Sequence, residues 1–352
     1  MTDILQQLTG LEKKELSIIL NSALDDDGPR TAGFLHFLKA AAPEARVQFL
    51  KKLPGPTAQW IEGQLEGMKQ VNSRKAEAVA KRLEALLVRL PALVTKTDTA
   101  TRAAMKRMSK NRQLLRADFN ALGKIISDQQ KGLSRGELQK PYPQGMPPVD
   151  LPPPESAAVR TSNVTDSIKD RASRRKFSPE PLSLDELSYL LWATQGIKKL
   201  VGGGRASIRT VPSGGAMHAF ETYLAVNRVE GLKPGLYRYQ PVDHKLAFLF
   251  AIEGQAKKLT AAALGQGFVG DCGATFIWSA VPYRCEWRYT TEAAKLILLD
   301  AGHVCQNLYL ACEALGLGTC AIGAYDQKKF DALCHLDGVD EMVVYLAPVG
   351  RV

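Results

Sequence analysis

A proline-rich segment divides this 352-residue chain into two parts of different character. Seven of its nineteen prolines lie between Pro141 and Pro154, in the run PYPQGMPPVDLPPP. Proline restricts the backbone and donates no backbone hydrogen bond, so such a run favours an extended, semi-rigid segment. The sequence therefore predicts a linker over residues 139–158, between an N-terminal domain, residues 1–138, and a C-terminal domain, residues 159–352.

Apolar residues in the N-terminal domain recur every three or four positions, as they do in amphipathic helices, and no strand-like alternation appears. Proline interrupts the pattern near residues 25–29, 54–56 and 91. The sequence therefore predicts an all-helical domain of four to six helices. The clearest repeats are Ile61, Leu65 and Met68, and Val79, Leu83, Leu86 and Leu90.

The net charge of +10 is concentrated in the N-terminal part. Residues 1–140 hold 24 Lys and Arg against 15 Asp and Glu, whereas residues 141–352 hold 22 against 21. Arg102, Lys106 and Lys110 recur every four residues and would share one helical face. This basic stripe could bind an anionic partner, such as nucleic acid, an acidic peptide or an anionic membrane, or it could be the solvated side of a half-buried helix. The buried side would then carry Met108, Leu115, Phe119, Leu122 and Ile126.

The absence of targeting signals predicts a cytoplasmic protein, and the cysteine spacing is compatible with that prediction. No apolar run approaches the ~18 residues of a membrane-spanning helix, and residues 1–16 lack the layout of a signal peptide. No Cys-x-x-Cys pair occurs and no nearby Cys/His pair would complete a zinc site, so no metal site is predicted. The cysteines are expected to be reduced, buried thiols. They are Cys272, Cys285, Cys305, Cys312, Cys320 and Cys334.

Strand and helix patterns are mixed after the proline-rich segment. Ser183 and Glu186 predict a capping box for a helix over residues 184–194. A helix over residues 291–315 is apolar nearly all round, which predicts burial in the core or in a subunit interface. The elements do not alternate as βαβ units, so an α+β domain is predicted. The strand-like runs are GLYRYQ and KLAFLF, joined by a turn, then ATFIWSAV and EMVVYLAPV.

Three segments combine residue types that suit an anionic or flat ligand. In residues 171–177, guanidinium groups and a hydroxyl suit a phosphate, although the segment could be a solvated loop. In residues 209–216, Pro-Ser-Gly-Gly lets backbone N–H groups approach a ligand, although a plain loop would look the same. In residues 315–326, Gly323 is not explained as a helix cap and can mark backbone against a flat ligand.

Together these segments resemble the FMN-dependent nitroreductase superfamily. The resemblance is carried by Arg-x-Ser-x-Arg-x-Phe, Pro-Ser-Gly-Gly, and the series Asp-Ala-Gly-His, Gln-Asn-Leu and Gly-Leu-Gly within residues 300–318. Within the superfamily, residues 160–352 are most similar to SagB-type dehydrogenases. The resemblance implies a nitroreductase-like FMN-binding domain, with an antiparallel-rich central sheet flanked by helices, in a homodimer with FMN at the interface.

The resemblance implies phosphate and flavin contacts for several arginines. Arg171 and Ser173 match the positions that hold the FMN phosphate, and Arg175 matches the one that reaches the pyrimidine edge of the flavin. A cation there would stabilise the negative charge that reduction places at that edge. Arg351, near the last residue, is expected to add a further phosphate contact.

Two backbone segments are also implied to touch the flavin. Pro212, Ser213 and Gly214 correspond to the loop that reaches the flavin of the other subunit. Gly323 and Ala324 correspond to backbone beside the flavin nitrogen that accepts a hydride.

Arg288 and Tyr289 are the candidate catalytic residues. They stand where azoline-oxidising members have a Lys-Tyr pair that supplies the base. Arginine stays protonated, so Arg288 is a poor general base but could bind an anionic substrate. Tyr289 could donate a proton, orient a substrate or only pack. Of the histidines, His303 is expected in the core and His218 is a weaker pocket candidate.

These inferences predict an FMN-dependent oxidoreductase that passes a hydride through flavin to or from an unidentified small-molecule or peptide substrate, with NAD(P)H as the candidate electron donor. One alternative is an azoline dehydrogenase that acts on a modified peptide. The other, from a different class, is a dimeric module that binds peptide or nucleic acid through its basic helical domain.

Overall fold

The computed structural model describes residues 1–24, 29–116, 118–160 and 163–352. The chain divides into two compact units, Met1–Gln113 and Leu114–Val352. This division comes earlier in the chain than the predicted boundary. The difference arises because the proline-rich segment packs on the second unit, where Val149–Asp150 forms a short edge strand.

The first unit is helical, as predicted, and contains more helices than the four to six expected. Prolines mark several boundaries: Pro43 lies in the first turn of one helix and Pro91 in the first turn of another. Of the break predicted at residues 25–29, residues 25–28 lie outside the described part of the chain. The helices are α1 (Thr2–Gly10), α2 (Lys13–Ala23), α3 (Pro29–Ala40), α4 (Pro43–Leu50), α5 (Gly55–Gly67), α6 (Ser73–Val88) and α7 (Leu90–Asn111).

The apolar side predicted for the basic stripe is not buried. Leu115 is 76% exposed and Ile126 is 66% exposed, and Met108 and Phe119 are also exposed. The prediction is wrong because α7 ends at Asn111, so residues after it do not continue one helical face. The side chains of the basic stripe, Arg102, Lys106 and Lys110, are exposed.

The second unit is built around an antiparallel sheet, as predicted. Its strands are β1 (Val149–Asp150), β2 (Ile197–Val201), β3 (Ala206–Arg209), β4 (Phe220–Val226), β5 (Gly235–Gln240), β6 (Lys245–Phe250), β7 (Ala274–Ala280), β8 (Leu317–Thr319) and β9 (Met342–Arg351). Seven of them pair in the order β1-β6-β5-β4-β7-β9-β8, and β2 pairs with β3 in a separate hairpin. Every residue of β4 and β7 is buried, because helices cover both faces of the sheet at its centre.

Helices of the second unit begin and end largely where local signals place them. Ser183 accepts a hydrogen bond from the Glu186 backbone at 3.1 Å and donates its own N–H to the Glu186 carboxylate at 2.8 Å, which confirms the capping box. All six cysteines are buried with free thiols. The helices are α8 (Phe119–Leu122), α9 (Val164–Asp170), α10 (Leu184–Gln195), α11 (Gln255–Ala262), α12 (Tyr283–Tyr289), α13 (Ala293–Leu315) and α14 (Gln327–Leu333).

Helix α13 packs one side against the sheet and α10 and leaves the other side open. Leu298 and Leu299 are about half exposed, at 50% and 53%. His303 is exposed on the same side, so its predicted place in the core is wrong: helical geometry turns this position away from the sheet. Apolar as α13 is, none of the helices within the described ranges is long and apolar enough to cross a membrane.

Buried ionic contacts attach the segment before β1 to the sheet. The Glu221 carboxylate accepts from the Arg284 guanidinium at 2.5 Å and from the Lys140 backbone at 2.9 Å. The Lys140 ammonium reaches Glu341 at 2.5 Å, and Glu341 also accepts from Tyr223 at 3.0 Å. Because Glu221 and Arg284 are almost fully buried, these contacts make residues near 140 part of the sheet unit and not a free linker.

Candidate functional site

Tyr309 on α13 organises the first predicted segment. Its hydroxyl lies 2.9 Å from the Ser173 hydroxyl, and the Arg171 guanidinium carbon lies 5.2 Å from the centre of its ring. The backbone of Ser173 pairs with Thr319 at the end of β8. The contact with the ring fits a cation–π interaction, which holds Arg171 beside the Ser173 hydroxyl.

The arginines of this segment differ in whether a carboxylate already holds them. Arg174 donates to both carboxylate oxygens of Glu313, at 3.1 and 3.2 Å. Neither Arg171 nor Arg175 forms an ion pair with any carboxylate of the described residues. Arg175 is exposed and makes one long contact of 3.4 Å with the Ser173 carbonyl oxygen. Two guanidinium groups therefore remain available to an anion on either side of Ser173.

Arg351, the further phosphate contact predicted from the sequence, forms two ion pairs within the chain. Its guanidinium lies 3.0 Å from the Glu186 carboxylate and 3.5 Å from the Glu180 carboxylate. Glu186 is also the acidic residue of the capping box at the start of α10. The Arg351 side chain is thus committed to two carboxylates of its own chain.

The third predicted segment joins the first through Tyr309. The Tyr309 hydroxyl accepts a hydrogen bond from the Ala321 backbone at 2.8 Å. Gly323 and Ala324 follow and are exposed. A side-chain carbon added at Gly323 would meet nothing within 4 Å, so packing within the chain does not require glycine there. Gly323 is open to a ligand, whereas the Ala324 carbonyl oxygen accepts a hydrogen bond from the Gln266 amide at 2.9 Å.

Tyr309 is a site residue that the sequence alone did not predict. A tyrosine within a buried apolar helix is more often a packing residue, and no local pattern distinguishes this one. Its place directly after Gln-Asn-Leu, in the series that carries the resemblance, is the one signal that could have found it.

The second predicted segment is anchored to α13 by Asp300. The Ser213 hydroxyl donates to the Asp300 carboxylate at 2.6 Å, and the Gly214 N–H donates to it at 3.1 Å. The same Ser213 hydroxyl accepts from the His218 backbone at 2.9 Å, and Pro212 stays exposed. Burial raises the pKa of Asp300, whereas the hydrogen bonds from Ser213 and Gly214 act to lower it.

The two candidate catalytic residues lie beside this loop. Gly215 has a left-handed backbone, φ 59°, and the Tyr289 hydroxyl occupies the space that a side chain at Gly215 would need. The Arg288 guanidinium carbon lies 5.4 Å from the centre of the Tyr289 ring, and Arg288 is exposed. The structure thus brings Tyr289, Arg288 and the Pro-Ser-Gly-Gly loop together.

His218 is buried behind the loop and is 4% exposed. Burial, together with the nearby cations Arg209 and Arg135, lowers its pKa to about 3. The imidazole is therefore neutral at ordinary pH.

Two groups of predicted residues remain apart within one chain. Asp300, which holds the Ser213 loop, and Tyr309, which holds Ser173 and Ala321, are separated by nine residues on α13. At ~1.5 Å per residue this is about 13 Å along the helix. The two groups therefore lie at different levels of α13.

Comparison with known proteins identifies the family of the second unit. The model of the Nitroreductase family matches residues 168–351, just over half of the chain. A nitroreductase-family protein of Methanocaldococcus jannaschii is 33% identical over 193 residues, which are 55% of this chain and 93% of that protein. The chain belongs to the nitroreductase family, and its second unit is that of an oxidoreductase.

Two further relatives are similar over the same part. The trifolitoxin-processing protein TfxB of Rhizobium leguminosarum bv. trifolii is 30% identical over 166 residues, which are 45% of this chain and 44% of that protein. A solved structure of a nitroreductase from Ralstonia eutropha is 28% identical, with a TM-score of 0.49, and the match covers 62% of this chain and 96% of that one.

Proposed function

We propose that this chain is an FMN-dependent oxidoreductase of the SagB type, which transfers a hydride between NAD(P)H and a small-molecule or peptide substrate. The observation that carries the proposal is the division of the arginines. Arg174 and Arg351 are paired with carboxylates, whereas Arg171 and Arg175 are not, and these two flank the Ser173 hydroxyl.

The available groups fit FMN. Arg171 and Ser173 would hold the phosphate, since a guanidinium and a hydroxyl together offer several hydrogen bonds to one anion. Arg175 would place a fixed positive charge at the pyrimidine edge, and the backbone at Gly323 and Ala324 would lie against the ring. When bound, FMN supplies two-electron chemistry that no side chain of the protein provides.

A homodimer is part of the proposal, as the resemblance to the family implies. We propose that Pro212–Gly214 of one chain covers the flavin held by a second copy, which the resemblance implies for this loop; the two groups of residues lie ~13 Å apart along α13 of one chain. The exposed Leu298 and Leu299 on the open side of α13 would be covered in that dimer.

Tyr289 is proposed to donate a proton to the substrate or to orient it, because its hydroxyl lies at the Pro-Ser-Gly-Gly loop. Arg288 keeps its positive charge and binds the substrate. A second candidate is the predicted azoline dehydrogenation of a modified peptide, with which the likeness to a toxin-processing protein is compatible. That reaction needs a base, which Arg288 does not supply.

The N-terminal unit is proposed to recruit an anionic partner. Its basic stripe, Arg102, Lys106 and Lys110, is exposed. Electrophoretic mobility shifts at increasing salt test for nucleic acid, since phosphate-driven binding weakens steeply as salt rises.

The variants Arg171→Ala and Arg175→Ala should separate the effect on FMN affinity from the effect on the flavin reduction potential. Loss of Arg171 should weaken FMN binding about 10- to 100-fold, the effect of losing hydrogen bonds to a charged group. Loss of Arg175 should also lower the flavin reduction potential by about 30 mV or more, ~1.4 kcal/mol for two electrons, because the compensating cation is gone. Equilibrium dialysis and a spectral redox titration measure the two quantities.

The matched control for these variants is Lys176→Ala, which removes one exposed charge from the same segment. We expect it to bind FMN as the wild type does. An unchanged potential in an Arg175→Ala protein that still binds FMN would show that Arg175 is not at the pyrimidine edge.

Tyr289→Phe should lower turnover about 100-fold or more, the usual contribution of a positioned acid or base, while the bound FMN stays constant. The assay follows NADPH oxidation with a nitroaromatic acceptor. Tyr142→Phe, which removes a hydroxyl bonded to Asp243, is the control and should keep full turnover. Full turnover by Tyr289→Phe would reduce Tyr289 to a packing residue.

A further inference from the structure

A cavity of about 840 Å³ opens beside the candidate catalytic residues. Arg288 and Gly215 line one side, and the turn between β2 and β3, with Gly204 and Arg205, lines another. Residues 129–139 complete the wall. The volume is in the range of clefts that hold an organic ligand or a short stretch of peptide.

The wall formed by residues 129–139 lies before the family match, which begins at residue 168. This wall is nevertheless fixed to the site. The Gln129 N–H donates to the Trp287 carbonyl oxygen at 2.9 Å, and the Trp287 indole N–H donates to the Leu133 carbonyl oxygen at 2.8 Å. The Arg135 guanidinium binds the Met217 carbonyl oxygen. These contacts hold residues 129–139 against Trp287 and Met217.

Positive charge dominates the cavity lining. Three of its side chains are guanidinium groups, Arg135, Arg205 and Arg288, against the single carboxylate of Glu137. Arg205 donates to the carbonyl oxygen of Gly202 at 2.9 Å, in its own turn. Within the described residues, none of the three arginines forms an ion pair with a carboxylate.

The buried position of Arg135 also favours an anion in the cavity. It is 9% exposed, and its guanidinium donates to the backbone carbonyl oxygens of Ala216 and Met217. Burial, with a contribution from Arg284, lowers its pKa. A buried cation that lacks a counter-ion is costly, and an anion in the cavity would offset that cost.

We propose that this cavity is the substrate site and that it takes a carboxylate-bearing ligand with an apolar body. Arg205 and Arg288 bind the carboxylate, and Arg288 brings the ligand to Tyr289 because its guanidinium lies over that ring. The apolar body packs on the remaining lining, Leu133, Leu138, Leu200, Met217, Val242 and Trp287. That this ligand is a substrate rests on the proposed oxidoreductase function, whereas binding of the ligand in the cavity does not.

The test compares matched acids and amides by isothermal titration of the purified full-length protein, without any reductant. The small-molecule probes are 4-nitrobenzoate and 4-nitrobenzamide, and the peptide probes are acetyl-Leu-Glu-Glu-Leu-amide and acetyl-Leu-Gln-Gln-Leu-amide. At least one acid should bind about tenfold or more tightly than its amide, the effect of a charge-assisted hydrogen bond. The pair that shows the preference identifies a small molecule or a peptide as the source of the carboxylate.

Arg288→Gln and Arg205→Gln should each remove most of that preference and leave amide binding unchanged. Lys328→Gln, an exposed charge outside the cavity, should retain it. Equal binding of acid and amide, absence of binding by all four probes, an equal loss in Lys328→Gln, or tighter binding of inorganic phosphate than of either acid would overturn the proposal. Because no electron transfer is measured, a failure here is distinct from a failure to bind FMN.

Discussion

Glu221→Gln is expected to lower the free energy of unfolding of the sheet unit by about 3–5 kcal/mol. Glu221 is 2% exposed and faces two buried guanidinium groups, Arg284 at 2.5 Å and Arg238 at 3.9 Å. The amide keeps the shape of the side chain but removes the charge, which leaves both cations buried without a carboxylate. Urea unfolding followed by tryptophan fluorescence measures the change.

Asp150→Asn is the matched control for this variant. Asp150 pairs with Lys245 at 2.8 Å, but its side chain is 83% exposed, so water already screens the pair. We expect a loss of less than about 1 kcal/mol. If the two variants lose equal amounts of stability, the buried network near residue 140 does not hold the segment to the sheet.

His218→Asn is expected to make the free energy of unfolding depend less on pH in the acid range. The pKa of His218 is about 3 in the folded chain, against 6.5 for an ordinary histidine. As pH falls below 6.5 the unfolded chain takes up a proton that the folded chain does not, so stability falls with pH. This group alone accounts for about 4–5 kcal/mol between pH 6.5 and pH 3.

Asparagine is chosen because His218 has a φ of 46°, a left-handed conformation that asparagine tolerates. Urea titrations of both proteins at pH 7 and pH 4.5 give the comparison. Between these two conditions the wild type should lose about 2–3 kcal/mol more than the variant. Equal losses would mean that His218 is protonated in the folded chain.

Local patterns predicted several elements of the second unit, including α10 and α13. The capping box at Ser183 and Glu186 and the apolar run of α13 depend on residues close in sequence, where spacing decides the structure. The proline-rich run predicts an extended, semi-rigid linker, because a sequence does not show which sheet edge a short strand will join. Prolines are compatible with such an edge, and Val149–Asp150 pairs there with Leu246 and Lys245.

The site shows the same limit. The motif around Ser173 could be found from residue types, but the types do not reveal that Glu313 takes up Arg174 or that Glu180 and Glu186 take up Arg351. These ion pairs join residues far apart in sequence. The structure therefore distinguishes the arginines that already form ion pairs from the arginines that remain available to bind an anion.

The cofactor of the purified protein tests the central proposal most directly. We expect a yellow protein whose heat-released cofactor is FMN by chromatography and mass, at about one per chain, and whose visible absorbance is lost on reduction. An Arg171→Ala, Arg175→Ala double variant should retain much less FMN, whereas Lys176→Ala should retain as much as the wild type. A colourless wild-type protein that takes up no FMN on incubation would contradict the proposal that the chain is an FMN-dependent oxidoreductase.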